Sequence, residues 1–183
     1  MARLPNLTDR SQVPEHLREA YDRVAGLRQG AVSGPYGVLL HSPELAELVA
    51  ALGNYVRWNA ALTPRQTETA VLAAAREWDA RLMWGSHVRL GSEAGVPEAT
   101  IEAIGQRRPV DGIEADEGAI VTYVRELLRE HRVTEDTFRA LHTVVGDQGI
   151  VDLTGLVGYY GLVASILNAF EVEPPPGAAE LPA

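Results

Sequence analysis

Apolar residues recur at three- and four-residue steps along most of the chain, which is the spacing that puts side chains on one face of an α-helix. No segment alternates apolar and polar residues as a half-buried strand does, and no tight turn links two such segments. The pattern therefore predicts an all-α protein with about seven to nine helices and a single core.

Capping residues fix several predicted helix ends. Ser42 and Thr63 stand at N-cap positions, and each is followed by a proline, Pro43 or Pro64, at the first helical position. Gly95 is placed to end the helix that contains "RLMWGSHVRLGSEAG". The turn-rich stretch "SGPYGVLLHSP" (33–43) is predicted to be irregular, and the Pro-rich tail is predicted to be extended or disordered.

Two helices show a stripe that should pack against the core. The stripe of the helix after Ser42 consists of Leu45, Leu48, Val49, Leu52, Val56 and Asn59. The stripe of the later helix in "EADEGAIVTYVRELLREHR" consists of Ile120, Val121, Val124, Leu127, Leu128 and His131.

The last helix, in 153–170, is apolar nearly all round and must be covered on several sides. Gly155, Gly158 and Gly161 would let another helix approach closely, so we expect a partner subunit, with packing inside one chain as the alternative. A membrane span is not expected, because the stretch is slightly short and contains Asn168.

Composition excludes several classes of function. The net charge of -9, with no basic stripe, argues against nucleic-acid binding. The chain has 0 cysteines, which removes disulfides, thiolate metal sites and thiol nucleophiles. The N-terminal "MARLPNLTDRSQ" lacks the apolar core of a secretory signal, so a cytoplasmic location is expected.

Candidate chemistry has to come from tertiary contacts, since no familiar catalytic or phosphate-binding motif is present. No two histidines lie three or four residues apart, so a metal site on one helix is not expected, with mixed His and carboxylate ligands from separate helices as the alternative. No cofactor is expected. Glu68 lies on or beside the packed side of its helix, where desolvation would raise its pKa into a range useful for acid–base chemistry. The alternative is a surface carboxylate near a helix N-terminus.

His87 lies on a mixed helix face that borders the core. Met83, Trp84, Leu90 and Gly91 share this face. A histidine in such a position is either a working group that faces a cavity or a structural residue with its hydrogen bonds satisfied, and the local spacing leaves both open.

The segment "LTPRQTETAVLAAAREWDARLMWGSHVRLGSEAGVPEATIEAI" (62–104) resembles the carboxymuconolactone decarboxylase family, which includes the alkylhydroperoxidase D-like proteins. The matched residues are Glu68, Trp84, Gly85, His87, Val88, Arg89, Ala94 and Gly95. "GPYGVLLHSPELAEL" resembles the N-terminal segment of the family, and "LVGYYGLVASILNAF" its closing helix, with Tyr160 and Asn168 at recurring positions. We therefore predict an N-terminal helical extension over 1–29, the family domain over 30–171 and a tail over 172–183.

This resemblance implies an all-helical fold, a cytoplasmic location and a homo-oligomer, either a trimer or a hexamer. Peroxidase members of the family use a Cys-x-x-Cys pair with the Glu and the His as a proton relay. Those cysteine positions correspond here to Ala80 and Met83, so thiol peroxidase chemistry is excluded. Many relatives also carry an acidic residue at the position of Met83.

The decarboxylase branch needs no thiol, and by resemblance Glu68 and His87 would be catalytic. Pocket candidates for substrate binding are His41, Met83, Trp84 and Tyr160. The sequence thus predicts a cofactor-free lyase or isomerase that acts by acid–base catalysis on a small lactone or carbonyl acid. The alternative is a non-catalytic oligomeric binding or accessory member of the family, as the residues at 80 and 83 suggest.

Overall fold

The computed structural model describes residues 2–183, and all regular secondary structure in this range is helical, which confirms the predicted fold class. Two 3₁₀ turns, Arg10–Gln12 and Glu15–Leu17, precede the α-helices. The α-helices of the described residues are α1 (Arg18–Leu27), α2 (Tyr36–Leu39), α3 (Pro43–Trp58), α4 (Pro64–Glu77), α5 (Arg81–Glu93), α6 (Glu98–Gly105), α7 (Ala115–Glu130) and α8 (Glu135–Ala169).

The predicted helix starts are observed, with one difference in detail. Thr63 caps α4 in a reciprocal capping box with Gln66. Ser42 occupies the N-cap of α3, but its side chain makes no capping hydrogen bond. Gly95 follows α5 with a φ of 85°, a left-handed conformation that favours glycine. The stretch predicted to be irregular contains the short helix α2, which is entirely buried.

Helix α4 forms the centre of the molecule and packs against α5, α6, α7 and α8. Every residue from Thr67 to Arg76 is buried. Most of these residues are small, so neighbouring helices approach closely from several sides. Glu68 belongs to this buried stretch, which excludes the alternative of a surface carboxylate.

The prediction that the leucines of α3 pack against the core is wrong. Leu45, Leu48 and Leu52 are 41%, 70% and 46% exposed, and Asn59 is also exposed, whereas Val49 and Val56 are buried as predicted. The buried face consists instead of Ala46, Val49, Ala50, Gly53 and Val56. Small residues dominate it because α3 packs closely against tyrosine side chains, and this close approach directs the larger leucines outward.

The stripe predicted for α7 is buried at Ile120, Val121 and Val124 and partly buried at Leu127 and Leu128. His131 does not belong to it. This residue is the exposed C-cap of α7, and its left-handed backbone ends the helix before the stripe reaches it.

Helix α8 bends at Gly146, where φ is 69° and ψ is -174°, so it consists of two helical segments that meet at a kink. Its length and hydropathy would allow it to cross a membrane, but 61% of its most apolar window is buried inside the protein, as in the core helix of a soluble domain. Gly161 packs against Trp78 within the chain, while Gly155 and Gly158 face open space.

The C-terminal tail lies without helix across α5 and α6. Trp84 donates from Nε1 to the backbone oxygen of Glu180 at 3.1 Å, and Arg76 donates from Nη2 to the backbone oxygen of Ala183 at 3.2 Å. Of the two predicted possibilities, the tail is therefore extended, and these hydrogen bonds hold it in place. The predicted boundaries at 30 and 171 remain predictions.

Candidate active site

A cavity of about 540 Å³ opens between the N-terminal segment, the end of α3, α5 and α8. This volume lies within the range of small-molecule sites. Asn6 and Thr8 come from the N-terminal segment, while Glu173 and Pro175 come from the tail. Both ends of the chain thus contribute to the same cavity as the central helices.

His87 lines this cavity and is hydrogen-bonded to Glu68. The distance between His87 Nδ1 and Glu68 Oε2 is 2.6 Å, and the two residues are only 8% and 5% exposed. Helix α4 supplies the carboxylate and α5 the imidazole. The packing of α4 against α5 therefore brings together the acid and the histidine singled out in the sequence.

Arg57, at the end of α3, binds the other oxygen of this carboxylate, with 3.0 Å between its Nη2 and Glu68 Oε1. Burial raises the pKa of Glu68, but the hydrogen bonds from His87 and Arg57 and the charge of Arg57 act in the opposite direction, and the pKa is lowered overall. The sequence-based expectation of a raised pKa is wrong, because it considered desolvation without these two partners. Glu68 is therefore an ionised carboxylate.

Burial lowers the pKa of His87 below its ordinary value of 6.5, and this effect outweighs the hydrogen bond and the charge of Glu68, which raise it. Arg57 and Arg28 lower it further. The imidazole is therefore neutral near pH 7. Because the ionised Glu68 can only accept, Nδ1 carries the proton and Nε2 keeps its lone pair. No residue of 2–183 is hydrogen-bonded to Nε2.

Tyr160 lines the cavity beside His87, with ring centroids 5.3 Å apart and the rings perpendicular. Its hydroxyl oxygen accepts a short hydrogen bond from Nη1 of Arg57. Burial raises the pKa of Tyr160 and outweighs the charge of Arg57, so the phenol keeps its proton. Since the oxygen is already an acceptor, its O–H is available as a donor to a bound molecule.

A group of aromatic residues continues the cavity wall. The hydroxyls of Tyr36 and Tyr159 are 2.6 Å apart, and the ring of Tyr159 packs edge-on against Tyr160 at 5.0 Å. The guanidinium of Arg28 lies over Tyr36 and over Trp58, 4.9 Å and 4.8 Å from their ring centroids. These groups give the cavity a flat, aromatic and positively charged region.

Of the four residues predicted to contact substrate, Met83 and Tyr160 line the cavity. His41 does not, because α2 directs its exposed ring toward the N-terminal segment, where Nε2 lies 2.9 Å from the backbone oxygen of Pro5. Trp84 lies on the other side of α5, beneath the C-terminal tail. Trp84 comes one position after Met83, and one residue turns an α-helix by roughly 100°, so its side chain points away from the face that carries Met83 and His87.

Five aromatic or cationic residues that contact the Glu68–His87 pair or line the cavity were not predicted from the sequence. They are Arg28, Tyr36, Arg57, Trp58 and Tyr159. Arginines in amphipathic helices are usually solvated, so spacing alone gave no reason to place Arg57 inside the protein. The neighbouring aromatic residue in "YVRWN" was the available signal, since arginine often stacks on such rings.

Within residues 2–183, no group of three or more His, Cys, Asp or Glu side chains is arranged to hold a metal ion. The functional groups in and next to the cavity lining include one imidazole, the carboxylates of Glu68 and Glu173, two guanidiniums and phenols. This set can transfer protons, stabilise negative charge on oxygen and bind an anionic group.

Comparison with known proteins agrees with the fold and with the predicted resemblance. Residues 43–126 match the profile of the carboxymuconolactone decarboxylase family. This match includes Arg57, Glu68 and His87 but not Arg28 or Tyr160. No curated protein matches the chain.

Three solved structures share the fold. A protein of unknown function from Agrobacterium tumefaciens, described as a proposed antioxidant defence protein AhpD, is 24% identical over 75% of this chain and 95% of its own, with a TM-score of 0.68. The debrominase Bmp8 is 11% identical over 93% and 92%, with a TM-score of 0.72. An uncharacterised peroxidase-related protein from Silicibacter sp. is 14% identical over 97% and 93%, with a TM-score of 0.75. At these identities the likeness concerns the fold alone.

Proposed function

We propose that this chain, which carries a domain of the carboxymuconolactone decarboxylase family in residues 43–126, is a cofactor-free lyase or isomerase. It acts by acid–base catalysis on a small lactone or carbonyl acid. One observation carries the proposal: a neutral imidazole lines a ligand-sized cavity with Nε2 free, while Nδ1 is held by a buried carboxylate. A general base needs such a lone pair within reach of a bound molecule.

In the isomerase reaction, Nε2 of His87 takes a proton from the carbon beside the carbonyl group. The electron pair of the broken C–H bond moves into the carbonyl group and leaves negative charge on its oxygen. The O–H of Tyr160 donates to this oxyanion, and the positive charge of Arg57 strengthens that donor. Glu68 stabilises the imidazolium, which then returns the proton to a different atom of the conjugated system.

In the lyase reaction, the carbon beside the carbonyl group loses a carboxylate as CO2. The electrons of the broken C–C bond form the same enolate, which Tyr160 stabilises in the same way. The negative charge of the enolate favours uptake of one solvent proton at Nε2 of His87, and the resulting imidazolium passes this proton to the carbon, so that one proton is consumed for each CO2 released. Both reactions use His87 and Tyr160, which is why the geometry supports the pair of reaction classes together.

The test is proton exchange and CO2 release in deuterated water. Carboxymuconolactone, oxaloacetate and phenylpyruvate serve as probes, and NMR follows deuterium on carbon while a coupled assay follows CO2. The proposal predicts that the wild-type chain accelerates at least one of these reactions and that His87→Gln removes the acceleration. Equal acceleration by the wild-type chain and the variant, or none by either across the panel, would overturn it.

A second candidate, a non-catalytic binding or accessory protein, is favoured by a specific feature of the cavity wall. Met83 and Ala80, at the positions of the peroxidase cysteines, are both buried and neither can transfer a proton. This candidate predicts that ligands bind in the cavity while the same panel shows neither exchange nor CO2 release.

We further propose that the chain forms a homo-oligomer. The exposed stripe of α3 (Leu45, Leu48, Leu52 and Tyr55) and that of α8 (Val151, Gly155, Gly158 and Leu162) belong to helices that contact each other. Tyr55 of the first stripe donates to Asp152, the neighbour of Val151, at 3.0 Å. Apolar side chains grouped on adjoining helices favour burial against another subunit, and the small glycines would permit a close approach.

A further inference from the structure

Arg28 has an unusual environment for a charged side chain. Its guanidinium donates no hydrogen bond and forms no ion pair with any residue of 2–183, and its Nη1 is shielded from solvent without an acceptor. The residue is only partly exposed and lines the cavity. It stands just after α1, outside the segment that matches the family profile.

Leaving such a group unpaired is costly. A buried donor without a partner destabilises the folded chain, and the effect is larger when the donor is charged. The rings of Tyr36 and Trp58 offset part of this cost through cation–π contact, but they interact with the face of the guanidinium and not with its N–H groups. The hydrogen-bonding edge of Arg28 therefore lacks an acceptor.

The other charges around the cavity already have partners. Arg57 is paired with Glu68 at 3.0 Å, and Glu173 at the rim lies 3.6 Å from Arg81. Arg28 is the remaining cationic group of the lining without a counter-charge among the described residues. The cavity thus has a surplus positive charge beside flat aromatic surfaces.

We propose that Arg28 binds the carboxylate of a small, flat organic acid, and that this acid is the substrate class of the cavity. A planar guanidinium matches a carboxylate through two parallel hydrogen bonds, which no neutral group reproduces. The flat body of the acid would then lie against the cavity's aromatic wall. This inference rests on the proposed function, because the carboxylate anchored at Arg28 would leave the rest of the molecule within reach of His87.

Arg28 and His87 line the same cavity, which supports this arrangement. The charge of Arg28 contributes to lowering the pKa of His87, so the guanidinium and the imidazole are electrostatically coupled across the cavity. A carboxylate bound to Arg28 would neutralise that charge. Binding should therefore raise the pKa of His87, which makes the imidazole a stronger base only when the acid is bound.

The test is calorimetric titration of the full chain with benzoate and with benzamide, a neutral molecule of the same shape. Benzoate should bind more tightly than benzamide, and Arg28→Gln should weaken benzoate binding about 10- to 100-fold without changing benzamide binding. Arg28→Lys should keep part of the preference, because it retains the charge but loses the bidentate geometry. Arg23→Gln, on the outer face of α1, is the matched control and should bind benzoate as the wild-type chain does.

A second measurement does not depend on the variants. Addition of benzoate to the wild-type chain should shift the side-chain ¹⁵N signals of Arg28, whereas benzamide should not. Equal affinity for the two probes, or benzoate binding that Arg28→Gln leaves intact, would overturn the inference. His87→Gln should still bind benzoate. Arg28-dependent binding with no turnover would therefore refute the acid–base proposal alone, and turnover without Arg28 dependence would refute this inference alone.

Discussion

His87 Nδ1 and Glu68 Oε2 are hydrogen-bonded at 2.6 Å across two helices, and the two residues are 19 positions apart in sequence. The chain reverses between α4 and α5 at Asp79, where φ is 47°. This reversal packs the two helices against each other, so the pair is held by the same contacts that hold the core. The partnership fixes which nitrogen of His87 faces the cavity with a lone pair.

Replacing the two members of the pair should affect turnover differently. For a substrate identified in the panel, His87→Gln should lower kcat by about 100- to 10,000-fold, because it removes the base itself. Glu68→Gln should cause a smaller loss, because the imidazole remains but loses its orienting anion. Since Glu68 raises the pKa of His87, this variant should not need a higher pH for activity. Steady-state kinetics of both variants would check this order, and an equal kcat for His87→Gln and wild type would contradict it.

The lowered pKa of His87 makes stability depend on pH with a defined sign. In the unfolded chain the histidine takes up a proton as the pH falls through about 6.5, whereas the folded chain resists that proton until a lower pH. The free energy of unfolding should therefore fall as the pH drops below about 6.5, and this contribution should be fully present above that value. Urea unfolding of wild type and His87→Gln at several pH values isolates the effect.

In that comparison the variant should lose less stability than wild type over the same pH range, since glutamine does not titrate. Parallel pH dependences for the two proteins would show that His87 has the same pKa in both states.

Gly53 is needed for the packing of the tyrosine pair. A Cβ atom at this position would lie 2.8 Å from the Tyr36 hydroxyl and would overlap that of Tyr159. Gly53→Ala should therefore destabilise the chain by about 1 to 3 kcal/mol and disturb the cavity. Gly26→Ala, where nothing lies within 4 Å, should instead stabilise α1 by about 0.5 to 1 kcal/mol. Thermal unfolding of the two variants measures the difference, and similar effects would contradict the packing argument.

The proposed subunit interface can be tested by light scattering coupled to size-exclusion chromatography. The wild-type chain should have the mass of an oligomer, and Leu48→Glu combined with Val151→Glu should reduce it, because both residues are about 70% exposed on the two stripes. Leu4→Glu, which changes an exposed leucine outside the stripes, should leave the mass unchanged. A monomeric wild-type chain would refute the interface.

Helix caps and core periodicity made much of the fold predictable from the sequence. Thr63 and Gly95 act through local backbone chemistry, so their positions fixed helix ends without knowledge of the neighbours. The face of α3 was predicted wrongly because hydrophobicity alone does not distinguish a leucine that packs in the core from one left exposed. Gly53 and the tyrosines against it decide which face approaches the core, and that contact is long-range.

The candidate site was predictable only in part, because several of its contacts are also long-range. Glu68 and His87 were identified by family resemblance, and their contact is observed, while their catalytic roles remain proposals. The pKa of Glu68 was predicted with the wrong sign because His87 and Arg57 reach the carboxylate from two other helices. Arg28 stands near the N-terminus and reaches the cavity only through the folding of the whole chain, so no local pattern could have revealed it.

The measurement that tests the account most directly is ¹⁵N NMR of the His87 side chain as a function of pH. The account predicts a neutral ring at pH 7 that is protonated on Nδ1 and unprotonated on Nε2, with a pKa below 6.5. A ring that is already an imidazolium at pH 7, or one that carries its single proton on Nε2, would leave no base facing the cavity and would contradict the proposed chemistry.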